Sequence, residues 1–309
     1  MNIKTGLFWA AVAVAFFGAG CSWFSSNPLK NKNTAAGPRL ADFTNLDSAQ
    51  AAAKVNFVPG SQIEIRQTYL GSGAQEAEKN AAGDKDGVRI VTIERFAPMY
   101  TANVAWKLSR SIDTQKSSAG SVDSSDAPQI LQDRQTAAGN IEGFDLSKSH
   151  GLYLPAYWPT NKITAAETGG IWISEEVFEE LTKTHNATVY YNILNSMLYG
   201  PMSASKDFTD QLATLQTQVN VAENNNTEVD LVKSDAKFSD WKLLINGHEV
   251  TVQVFKARNW YGEMVILNNP QNPLILKFTY DPQLAENAQV SSFLKTLLSY
   301  EVTSLEGVQ

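Results

Sequence analysis

The run Trp241-Lys242-Leu243-Leu244-Ile245-Asn246-Gly247-His248-Glu249-Val250-Thr251-Val252-Gln253-Val254-Phe255 decides the fold. Two β-forming segments flank Asn246-Gly247, and a two-residue type I′ turn needs positive φ at both central positions, which Asn and Gly tolerate. In the second segment Val250, Val252 and Val254 alternate with polar neighbours, the period of a strand with one buried face. Residues 263–267 and 274–280 add another strand pair, joined by Asn268-Asn269-Pro270-Gln271-Asn272-Pro273. A four-stranded meander results, followed by a last strand over 300–305.

Upstream, Ile63 and Ile65 alternate with charged residues in a strand over 62–69. Further strands are predicted over 88–93, 99–108, 170–173 and 188–193. Ser174 fits a helix N-cap. Glu175 and Glu176 follow at the positive end of the dipole, and Val177, Phe178 and Leu181 form the apolar face. Phe208, Leu212, Leu215 and Val219 predict a second helix over 205–219, and Phe293, Leu294, Leu297 and Leu298 a third over 291–299. The expected class is α+β and β-rich: an antiparallel sheet with a C-terminal meander and two or three packing helices. The globular part is expected over 56–309, divisible into sub-lobes 56–200 and 201–309. Residues 111–143, dominated by Ser, Asp, Gln, Ala and Gly, read as a mobile loop.

The N-terminus supplies an address. Lys4 gives a positive n-region, residues 7–17 an apolar core, and Gly18, Ala19 and Gly20 small residues before Cys21, the one cysteine of the chain. Ala19-Gly20-Cys21 resembles the end of the lipobox of bacterial lipoprotein precursors, although Gly18 stands where that family has an aliphatic residue. The resemblance covers the signal segment only. It implies a signal peptide over 1–20, acylation of Cys21 and anchoring in the cell envelope. Ser22, in place of Asp, implies the outer membrane if the host is Gram-negative. Residues 21–55, rich in Ser, Asn, Ala and Lys, read as a flexible tether with helical turns near 47–54.

A net charge of −7 with scattered Lys and Arg argues against a nucleic-acid partner, which requires clustered cations. With no further cysteine there is neither a disulfide framework nor a thiolate metal site. No Gly-x-Ser-x-Gly elbow or phosphate-binding Gly-rich loop is present. His150, His185 and His248 lack metal-binding spacing and read as turn residues, and Asp84-Lys85-Asp86-Gly87 reads as a turn. Glu175-Glu176 and Glu179-Glu180 read as a solvated acidic face. No catalytic residue, metal or cofactor is therefore expected.

Two aromatic clusters are candidates for ligand stacking: Tyr153, Tyr157, Trp158 and Trp172, and Trp260 with Tyr261. The same residues could instead fill a core. The expected role is non-enzymatic binding, scaffolding or assembly, with an envelope protein or glycan as partner. A carrier of a hydrophobic ligand and an envelope hydrolase assembled from distant residues are the alternatives.

Overall fold

A computed structural model describes residues 39–68, 87–115, 130–153, 158–192, 231–259, 262–280 and 299–309. The helix expected over 205–219 lies outside them, as does that expected over 291–299 apart from Ser299, which begins the last strand. Residues 38–309 form one unit, distinct from residues 1–37.

The described residues are β-rich and mainly antiparallel. In chain order they form α1 (Ser48–Ala53), β1 (Gln62–Thr68), β2 (Val88–Ala97), β3 (Thr101–Gln115), β4 (Ile130–Asp145), β5 (Gly151–Tyr153), β6 (Lys162–Thr164), α2 (Glu175–Lys183), β7 (Asn186–Thr188), β8 (Tyr190–Asn192), β9 (Leu231–Ser234), β10 (Ser239–Ile245), β11 (His248–Arg258), β12 (Gly262–Leu267), β13 (Ile275–Tyr280) and β14 (Ser299–Glu306). Twelve strands share one sheet, ordered β6-β4-β3-β2-β1-β14-β13-β12-β11-β9-β7, with β10 on β11 and β14; β5 and β8 form a separate parallel pair.

The deciding run folds as its residues dictate. Asn246 and Gly247 have φ of 50° and 79°. Leu243 pairs with Val250, and Trp241 with Val252. Val250, Val252 and Val254 are buried while Thr251 is exposed. From Phe255 onward the opposite face of β11 is covered too, because Phe178 of α2 meets Phe255 edge-on at 5.6 Å.

β14 joins the two halves of the sheet. One of its edges pairs with β1 over the whole length of β1. Its other edge is shared: Tyr300 and Glu301 pair with β13, and Ser304 and Leu305 pair in parallel with β10. The strands β10-β11-β12-β13-β14 thereby close into a ring, which leaves no free edge there. Where β1 meets β14 a bulge places Thr303 beside buried Glu64, and the Thr303 hydroxyl (2.7 Å) and Arg66 guanidinium (3.2 Å) donate to its carboxylate. The partners satisfy a charge that burial would otherwise penalise.

Three expectations are corrected. Residues 111–143 are not a loop throughout: β3 and β4 pair from Thr101↔Asp145 to Gln115↔Ile130, and only 116–129 lie outside the description. Backbone pairing serves a polar ribbon as well as an apolar one, so composition hid the strands. The tether does not reach residue 55. Asp47 caps α1 in a reciprocal box with Gln50, and Ala51, Ala52 and Val55 enter the core. The sub-lobes 56–200 and 201–309 do not separate, since β1 pairs with β14 and β7 with β9.

An aspartate at Val252 would put a carboxylate into a filled core, whereas Thr251 faces outward. Val252→Asp is expected to lower stability by about 3 kcal/mol or more, and Thr251→Asp by about 0.5 kcal/mol or less. Chemical denaturation of the two variants checks the difference.

Candidate functional site

The aromatic candidates divide by position. Trp172 is fully buried, and its ring lies 6.0–6.3 Å from those of Phe57, Phe96 and Phe144. Its indole N–H donates to Asn272 Oδ1 at 2.9 Å. Trp158 is 8% exposed and meets Trp106 edge-on at 5.9 Å. A stacking platform needs an open ring face, so both are core residues rather than ligand contacts. Tyr153 lies in β5. Tyr157, Trp260 and Tyr261, like Cys21, fall outside the described residues.

Trp106 and Trp158 enclose an arginine. Arg89 shares the core face of β2 with Val91 and Ile93, and its guanidinium carbon lies 5.3 Å and 4.9 Å from the two rings. Burial pulls its pKa down to about 9, while the indole faces favour the charged form. Trp106 Nε1–H donates to the Pro159 carbonyl at 3.0 Å. Gly139, opposite Trp106 on β4, makes room: a Cβ there would lie 2.1 Å from that carbonyl oxygen. The arrangement is structural. It pins residues 158–159 onto the sheet.

An open groove of about 550 Å³ lies between residues 40–46 and the β10–β11 hairpin. Leu40, Phe43 and Leu46 form one wall, and Ile245, His248 and Val250 line the hairpin side. Leu40 is 53% exposed. Ala41 N–H donates to the Val308 carbonyl (3.0 Å), and Asn246 joins Val308 through both its side-chain polar atoms, so both walls are fixed to the segment just past β14. The rim carries Asp42 and Glu249. Hydrogen bonds from Thr44 hold the Asp42 carboxyl below its usual range. Glu249 accepts from Lys242 at 2.7 Å, which raises the lysine. An apolar floor of this kind suits an apolar segment of a partner. The wall was missed in the sequence because it lay inside the expected tether. Leu40, Phe43 and Leu46, spaced by three, were the available signal.

The histidines lie at the ends of elements. His248 starts β11 at the groove, and His185 follows α2 with φ of 60°. His150 precedes β5, and its Nδ1 lies 2.6 Å from the Thr188 carbonyl. Its Nε2 lies 4.0 Å from Glu176 Oε1. A hydrolytic relay places the carboxylate on Nδ1 and a nucleophile on Nε2; here a carbonyl holds Nδ1, and no hydroxyl among the described residues bonds Nε2.

No protein-family model, curated protein or solved structure matches this chain.

The two tryptophans around Arg89 differ in one respect. Trp158 Nε1 is buried without a partner among the described residues, whereas Trp106 Nε1 has one. Trp106→Phe is therefore expected to cost about 1–2 kcal/mol more than Trp158→Phe, since only the first orphans a carbonyl. Equilibrium unfolding of both variants measures the gap.

Proposed function

We propose that this chain is a lipid-anchored cell-envelope protein with a non-enzymatic binding or assembly role. Its α+β ectodomain is held at the membrane through Cys21, in the outer membrane if the host is Gram-negative. The groove between residues 40–46 and the β10–β11 hairpin takes the partner. The observation that carries the binding role is that groove, an apolar, open cleft with Leu40 exposed at its wall. Its apolar lining, with Leu40, Phe43, Leu46 and Val250, suits an apolar protein segment. The buried side chains of the strand ring, Val252, Met264, Ile266 and Leu305 among them, favour surface binding over an internal lipid cavity. Support for the anchor is the sequence Gly18-Ala19-Gly20-Cys21 after an apolar run.

Two measurements test this. A fatty-acid analogue fed to expressing cells is expected to label the wild type and not Cys21→Ser; equal labelling of both refutes the anchor. A photo-crosslinking residue at Thr251, beside the groove, is expected to capture one envelope protein reproducibly. Leu40→Asp should reduce that adduct about tenfold or more while leaving the melting temperature nearly unchanged, because an exposed site tolerates charge. Undiminished capture by Leu40→Asp refutes the groove and leaves the anchor standing.

A further inference from the structure

Glu176 and Glu180 are one helical turn apart on α2, so both side chains leave the same face. His150 is brought to that face by backbone bonds. Glu175 N–H and Glu176 N–H donate to the carbonyls of Leu146 (2.9 Å) and Ser147 (3.1 Å), which seats the turn before β5 on the start of the helix. Tyr190 N–H donates to the His150 carbonyl at 2.8 Å. The imidazole is then oriented from behind by the Thr188 carbonyl on Nδ1.

That last bond decides the tautomer. A carbonyl only accepts, so Nδ1 carries a proton, and in the neutral imidazole Nε2 presents its lone pair. Nε2 and one carboxylate oxygen each from Glu176 and Glu180 lie within 4.8 Å of one another. Three acceptors converge and no donor lies among them. Among the described residues no lysine or arginine pairs with Glu176 or Glu180, whereas neighbouring Glu179 pairs with Lys183 at 3.0 Å.

We propose that His150 Nε2, Glu176 and Glu180 form a binding site for a divalent transition metal, with zinc the best match. One imidazole and two carboxylates suit zinc, while an imidazole ligand disfavours calcium and magnesium. Zinc–ligand bonds of about 2.0–2.2 Å require ligand atoms about 3.3 Å apart in a tetrahedron. Rotation of the half-exposed Glu176 side chain closes the present 4.0 Å gap. A histidine whose second nitrogen donates to a backbone carbonyl is the usual arrangement behind a metal ligand. Three protein ligands leave one position for water or for a side chain of a partner. The metal would tie α2 to the β5–β8 pair, independently of the groove.

The test uses the full chain in detergent with Cys21→Ser, so that no thiol competes. Zinc titration by calorimetry is expected to show one site per chain. His150→Ala, and the double change Glu176→Gln with Glu180→Gln, should each weaken binding about tenfold or more. Glu175→Gln with Glu179→Gln should leave it unchanged, with His185 and His248 present throughout. Cobalt in place of zinc should give visible absorption of a four-coordinate site, lost in His150→Ala. Circular dichroism establishes that each variant is folded. No zinc uptake by the parent, or equal uptake by all variants, overturns the proposal.

Discussion

Trp172 is held at the crossing of everything else in this domain. Its indole ring is completely buried and touches Phe57 ahead of β1, Phe96 on β2 and Phe144 on β4, while its backbone bridges to Leu274. Its one polar atom is satisfied by Asn272, itself buried. Asn272 and Asn269 also donate to the Val55 carbonyl at 3.0 Å, and Asn269 to that of Ala52, the last carbonyls around α1. A single buried node thus connects the entry segment, the N-terminal strands and the β12–β13 turn. Removing so large a side chain would leave a cavity bordered by all three.

The sheet manages its edges in two ways. On the C-terminal side β14 closes the ring by dividing one edge between β13 and β10. At the ends of the sheet, β6 and β7 are only three residues long and expose Lys162, Thr164 and Asn186. Short polar edges give another strand little to pair with.

The groove and the His150 cluster lie on different supports. The groove depends on residues 40–46 being clamped against β14 and the β10–β11 hairpin. The cluster depends on the seating of α2 and on Thr188. One is an apolar surface, and the other a polar arrangement that no lysine or arginine among the described residues pairs with. They can therefore be perturbed separately.

What the sequence determined by itself was local. Asn246-Gly247 sets its own turn, the alternation through Val250, Val252 and Val254 marks its own buried face, and Ser174 caps its own helix, because each signal is complete within a few residues. Cys21 and the apolar run before it are likewise a local signal, and they carry the proposed address. What only the tertiary structure decided was non-local. Trp158 and Trp172 could have been a platform until their neighbours were known, since an aromatic ring serves a core and a ligand equally well. The end of β3 beyond residue 108 and strand β4 were hidden by polar composition, because ladder bonds are made by the backbone whatever the side chains. Glu176 and Glu180 had helical spacing in plain view, yet their histidine lies 26 residues before Glu176. Its lone pair is aimed by a carbonyl 38 residues further on. Distance along the chain carries no record of which groups meet, so that convergence is decided by packing alone.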